Sequence, residues 1–147
     1  MYGDTRVIRR KVAALREQGI DLRLTADRLV SEADQIDWQG RAADAMRERV
    51  RERASHLRDA ASRHDTAAES LERHATETDR LKDAIAEAEH RGTSLIEDAR
   101  GRVEALAAKQ GGDVTIEPDP ADAALLAFTP PPAGHQDWLD AELPGHS

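Results

Sequence analysis

Apolar residues recur every seven positions through the first part of the chain, with large and small side chains at two separate heptad positions. This is the a/d pattern of helices that pack lengthwise, and it predicts a first helical arm over about residues 5–36, capped by Asp4 or Thr5. The large position holds Ile8, Leu15, Leu22, Leu29 and Ile36, and the small position holds Val12, Gly19, Ala26 and Ala33. Gly19 indicates either a close neighbouring backbone or a weak point in the helix.

A second, thinner repeat predicts a second helical arm over about residues 42–91, with a possible continuation to 110. One heptad position holds Ala43, Val50, Leu57, His64, Leu71, Thr78 and Ile85, and a row of Ala54, Ala61, Ala68 and Ala75 widens the stripe. Gly92 and Gly101 are candidate breaks in this arm. Gly111-Gly112 is expected to end the helical structure.

Between the arms, residues 37–41 contain Trp38 and Gly40. A glycine allows the backbone angles that a tight reversal needs, and a tryptophan can cover the open end of an apolar seam. Residues 5–110 are therefore predicted to form an antiparallel helical hairpin with its corner at Trp38 and Gly40. The fold class is expected to be all-α.

The charge is distributed unevenly. The net charge is −8, and residues 111–147 contain seven acidic residues with no Lys or Arg, so this segment supplies nearly all of the excess. Together with its Pro and Gly residues, this composition predicts a mostly irregular, acidic, flexible C-terminal tail.

Several function classes have little support in this composition. The helical arms carry balanced charges without the basic stripe of a nucleic-acid interface. No cysteine is present, no apolar run is long enough to span a bilayer, and no signal peptide is visible. Glu87 and His90 form a single Glu-x-x-His motif, whereas di-iron bundles need two. No catalytic residue, metal or cofactor is expected.

The corner resembles the WXG100 (ESAT-6-like) family of type VII (ESX-type) secretion substrates, which occur in actinobacteria and firmicutes. Residues 38–43, Trp-Gln-Gly-Arg-Ala-Ala, are similar to the family's W-x-G followed by small residues, and the resemblance covers about residues 5–90. It implies a four-helix bundle of two hairpins, either a homodimer or a heterodimer with a related W-x-G protein or toxin domain. It also implies export in the folded state by a membrane-bound secretion ATPase.

The chain departs from that family in two respects. Family members have about one hundred residues, and their export signal is Y-x-x-x-D/E, whereas the only tyrosine here is Tyr2. The nearest analogue is Trp138 with Glu142, two side chains that would share one face of a short helix. They are either a possible tail export signal or a chance pairing, in which case the partner would supply the signal.

The leading hypothesis is a non-enzymatic type VII secretion substrate or co-substrate, secreted or held at the cell surface. The alternative is a cytoplasmic coiled-coil adaptor or chaperone for a secreted partner such as a toxin, and a metal-binding bundle is a distant third. The turn motif is Trp38 and Gly40. The predicted packing and partner-interface residues are Ile8, Leu15, Leu22, Leu29, Ile36, Val50, Leu57 and Leu71.

Overall fold

The computed structural model describes residues 4–110 and 116–146. These residues form three α-helices, α1 (Thr5–Gln35), α2 (Arg41–Lys109) and α3 (Pro120–Ala127), and one 3-10 helix (Gln136–Leu139). Within these described ranges the only β-type pairing is one isolated bridge between Leu143 and His146. The all-α class is confirmed.

The chain divides into two compact units, and α2 contributes to both. The N-terminal unit comprises Asp4–Thr78, that is, α1, the corner and the first part of α2. The C-terminal unit comprises, among the described residues, positions 79–110 and 116–146. None of the helices in these residues is sufficiently long and apolar to cross a membrane.

In the N-terminal unit, α1 and the first part of α2 run antiparallel. Asp4 caps α1, because its side chain accepts a hydrogen bond from the backbone N–H of Arg6 at 2.9 Å. Ion pairs join the two helices, and the pairs named below involve later residues of α1 as they involve earlier residues of α2. They are Arg16–Glu72, Arg23–Asp65, Asp27–Arg58 and Asp34–Arg51.

The centre of this helix pair consists of small residues. The buried positions of α1 include Val12, Gly19, Ala26 and Ala33, and those of α2 include Ala54, Ala61, Ala68 and Ala75, each of the last four fully buried. The large residues of the heptads flank this centre and are only partly buried. The row of alanines that was expected to widen the stripe of α2 is therefore its middle, because small side chains allow the two backbones to approach closely.

Gly19 illustrates how close that approach is. A Cβ atom at this position would lie 3.0 Å from the Asp65 carboxylate and 3.5 Å from the backbone carbonyl oxygen of Ala61. The tightest contact is therefore with the Asp65 side chain, and the neighbouring backbone lies at ordinary van der Waals distance.

Helix α2 is longer than the core of the predicted second arm. It continues through Gly92 and Gly101 to Lys109, as the possible continuation to 110 anticipated, with no break at either glycine. The predicted stop at Gly111-Gly112 lies outside the described residues.

In the C-terminal unit, residues 116–146, here called the C-terminal segment, pack against α2. Leu125 and Trp138 are buried, and Asp122 pairs with Arg102 of α2. The described part of the expected irregular tail thus contains one α-helix, one 3-10 helix and a buried tryptophan, because its apolar residues find partners on α2. Its expected flexibility stays a prediction.

Candidate functional site

The helix pair of the N-terminal unit has two different edges. In an antiparallel pair, residues that flank the centre on the same side of each helix meet along one edge. The interhelical ion pairs named above occupy one edge, and the large heptad positions occupy the other. The second edge, here called the apolar edge, consists of Ile8, Leu15, Leu22 and Leu29 from α1 and Val50, Leu57, His64 and Leu71 from α2.

The apolar edge is only partly buried. Leu29 is 37% exposed, and the other seven side chains are of intermediate burial. Leu15 and Leu71 line a common surface cavity of about 230 Å³, which places the two helices' contributions side by side. A continuous row of partly buried side chains, aliphatic except for His64, is typical of a surface that another apolar surface covers. All of the predicted interface residues except Ile36 belong to this edge.

The chain reverses direction between Ile36 and Gly40. Gly40 has φ +110°, a backbone conformation that residues other than glycine rarely adopt. Its carbonyl oxygen accepts the first hydrogen bond of α2, from the Asp44 N–H. Trp38 is 47% exposed and Ile36 is 48% exposed. The expectation that Trp38 covers the end of the seam stays a prediction. The corner presents Ile36 and Trp38 as two half-exposed apolar side chains.

Arg47 holds the corner together. Its guanidinium group donates to the carbonyl oxygens of Ala33 at 3.2 Å, Ile36 at 2.8 Å and Trp38 at 2.6 Å, and its side chain is only 18% exposed. These carbonyls belong to the end of α1 and the turn, where no helical N–H group follows to bond them. Sequence reasoning missed Arg47. One signal was available in the sequence. The last turn of α1 contains no basic residue, so a donor to its terminal carbonyl oxygens had to come from elsewhere, such as α2.

The predicted export-signal pair does not form the expected geometry. The 3-10 helix ends at Leu139, so Trp138 and Glu142 do not share a helical face. Trp138 is 4% exposed, with its indole Nε1–H donating to the carbonyl oxygen of Pro132 at 3.0 Å, whereas Glu142 is exposed. The indole is occupied in packing, and the role of this pair in export stays a prediction.

A second anchor of the C-terminal segment is the ion pair between Arg102 and Asp122. Arg102 donates from Nε at 3.0 Å and from Nη2 at 2.8 Å to the two carboxylate oxygens, and the Asp122 side chain is only 9% exposed. These hydrogen bonds hold the pKa of Asp122 below its ordinary value against the opposing effect of its burial, and they raise the pKa of Arg102. Such two-point pairing fixes both position and orientation.

Metal-binding side chains do not cluster in the described residues. Across positions 4–110 and 116–146, no three His, Cys, Asp or Glu side chains come together in a group that could hold a metal ion. Glu87 and His90 thus have no third such partner in this part of the chain. The apolar edge and the corner both present partly exposed apolar side chains.

Comparison with protein-family models, with curated proteins and with solved structures finds no match to this chain.

Proposed function

We propose that this protein is a non-enzymatic type VII secretion substrate or co-substrate whose antiparallel helix pair is a targeting and dimerisation module. The observation that carries this proposal is the apolar edge, which runs along the helix pair in the unit whose corner is Trp38-Gln39-Gly40. We interpret this edge through the W-x-G resemblance, which implies paired hairpins and export in the folded state.

The apolar edge is the dimerisation surface in this proposal. A second helix pair that lays its own apolar edge against this one forms a four-helix bundle, and the ion-paired edges stay in water. The second pair comes from a second copy of the chain or from a related W-x-G protein or toxin domain. Burial of the aliphatic side chains drives the association.

Replacing Leu22 with Asp tests the dimerisation surface, because it places a charge in the middle of the apolar edge. Desolvating an unpaired carboxylate is costly, so the variant is expected to be monomeric while the parent is dimeric. Ile20→Asp is the matched control, since Ile20 belongs to the same helix but is 57% exposed away from that edge. Light scattering after gel filtration gives the mass. An unchanged mass for Leu22→Asp contradicts the assignment of this edge.

The corner is the targeting feature in this proposal. Trp38→Ala removes a half-exposed side chain, so it is expected to leave helicity nearly unchanged and to reduce the protein in the culture medium to the level seen in an exporter-deficient strain. Gln39→Ala, an exposed change in the same turn, is the control. Unchanged export of Trp38→Ala contradicts the targeting role.

The same fractionation separates the alternative function. A cytoplasmic coiled-coil adaptor or chaperone would use the apolar edge to hold a client helix, and it would stay with the cells whether or not the exporter is intact. Exporter-dependent appearance in the medium supports the secretion proposal. Retention in both strains supports the adaptor.

A further inference from the structure

The indole of Trp138 lies directly over Gly92 in the C-terminal unit. A Cβ atom at Gly92 would be 2.5 Å from Cζ3 of the indole and 3.2 Å from its Cη2, so no larger residue fits there unless the ring moves. Ala88 and Leu95 of α2 line a cavity of about 580 Å³ together with Trp138 and Leu139. Gly92, with Ala88 and Leu95 one helical turn before and after it, is here called the Gly92 seat. The missing side chain at Gly92 allows the flat indole to approach the helix.

Residues 130–140 contain several hydrogen bonds of their own. The indole N–H donates to the carbonyl oxygen of Pro132, and the same oxygen accepts a hydrogen bond from the backbone N–H of His135. The backbone N–H of Trp138 in turn donates to the His135 carbonyl. The indole packs against α2, but its N–H group donates to Pro132 and not to α2. Trp138 is therefore held on α2 by shape complementarity.

Only a few polar contacts add to that shape. Glu89 of α2 accepts a hydrogen bond from the Gly134 N–H at 3.0 Å, and Arg102 pairs with Asp122. A locally closed turn that carries its own aromatic ring, and that binds through shape complementarity and a few polar contacts, can leave and rebind as a unit.

We propose that Trp138 is a displaceable plug in the Gly92 seat, and that the seat also accepts the same Trp138-bearing segment from a second copy of the chain. In the free chain the plug sits in its own seat and hides this part of α2 from other molecules. Exchange of the plug between two copies keeps the packing of Trp138 over Gly92 and the hydrogen bond from Gly134 to Glu89, because the ring's own hydrogen bond travels with the segment.

The first test releases the plug without weakening α2. Gly92→Ala improves helix propensity but pushes the indole out of the seat. Gly101→Ala is the matched control, because it makes the same change in the same helix at a position where a Cβ meets nothing within 4 Å. In a Trp38→Phe background, Trp138 is the only tryptophan, so its emission reports the plug.

The expected result is a shift of the emission to longer wavelength, with faster proteolysis within residues 116–146, for Gly92→Ala and for neither the parent nor Gly101→Ala. Circular dichroism verifies that all three chains keep their helicity. If Gly92→Ala retains the emission and the cleavage rate of the parent, the proposal that Trp138 occupies the Gly92 seat is wrong.

The second test asks whether the seat accepts the segment from another molecule. The full-length Trp38→Phe/Trp138→Ala chain has an empty seat and no tryptophan, and a synthetic peptide of residues 128–146 supplies the indole. Saturable binding, with a shift of the peptide emission to shorter wavelength, is expected. Adding Gly92→Ala to the receptor chain is expected to abolish that shift. If the first receptor gives no shift, or if both receptors bind equally, exchange through the Gly92 seat is refuted.

Discussion

In each of the two units, part of α2 has buried positions that recur every seven residues. The segment of the chain that packs against α2 differs between the units. In the N-terminal unit the partner is a helix, and fully buried alanines such as Ala54, Ala61 and Ala68 share the contact evenly. In the C-terminal unit the partner is largely non-helical, and it depends on single features such as Trp138 over Gly92. A repeating partner can match a repeat along its length, whereas an irregular one needs a few specific anchors.

The ion pairs follow the same division. The ion pairs named above between α1 and α2 join side chains that are 41–67% exposed, so each contributes at most about 1 kcal/mol. In the C-terminal unit one pair joins the nearly buried Asp122 to Arg102 by several hydrogen bonds. Stability in the N-terminal unit is therefore distributed over the small-residue centre, and single changes have their largest effects there.

The largest effect is expected from Ala61→Leu, which enlarges a fully buried side chain in that centre. The two helices must separate to accommodate it, which costs about 1–3 kcal/mol or more in the free energy of unfolding. Ala67→Leu is the control, because Ala67 is exposed on the same helix. Urea unfolding followed by circular dichroism measures both. Equal stability of the two variants would mean that Ala61 is not in close contact with α1.

Arg47→Ala is expected to have the next largest effect. It removes a donor to the carbonyl oxygens of Ala33, Ile36 and Trp38, of which Ile36 keeps a hydrogen bond from the Trp38 N–H, at a cost of about 1–2 kcal/mol. Arg49→Ala is the matched control, since Arg49 is exposed two residues further along α2. Urea unfolding gives the difference, and hydrogen exchange of the last turn of α1 locates it. A loss no larger than that of the control would show that the corner forms without this clamp.

The anchor at Asp122 is expected to respond to acid. Its pKa in the folded chain lies below the ordinary value of 3.8, because Arg102 bonds the ionised carboxylate. As the pH falls, Asp122 is therefore protonated at a higher pH when the C-terminal segment is detached from α2 than when it is bound. The stabilisation is complete above 3.8 and is lost as the pH falls through the lower, folded value. In the Trp38→Phe background, Trp138 emission should shift to longer wavelength across that interval. Asp122→Asn should remove this part of the pH dependence, and an identical pH profile in that variant would exclude the ion pair as its source.

The sequence was sufficient for the features that repeat. Heptads predicted the all-α class and both long helices, and Trp38 with Gly40 marked the reversal. Spacing alone did not show that small residues occupy the centre, because large and small rows have the same period and only the packing distance distinguishes them. The plug at Trp138 has no periodic signal at all. Its partner Gly92 is 46 residues away in the sequence, and a glycine in a helix was more simply interpreted as a break.

Gly19→Ala gives the smallest expected effect and the sharpest measure of helix spacing. At an open helical position such as Gly101, replacing glycine with alanine should stabilise the chain by roughly 1 kcal/mol, since a Cβ there meets nothing within 4 Å. At Gly19 the same gain is opposed by a Cβ placed 3.0 Å from the Asp65 carboxylate, which is also bonded to Arg23 at 2.7 Å.

Asp65 must yield by a few tenths of an ångström to accept the new methyl group, and its bond to Arg23 resists that movement. We therefore expect Gly19→Ala to change the free energy of unfolding by less than about 1 kcal/mol and to fall below Gly101→Ala. Adding Arg23→Ala frees the carboxylate, so the Gly19→Ala substitution should become more favourable in that background. Denaturant unfolding of the four chains in this double-mutant cycle measures the coupling. If Gly19→Ala stabilises as much as Gly101→Ala in both backgrounds, α1 and α2 are further apart at Gly19 than the structure places them.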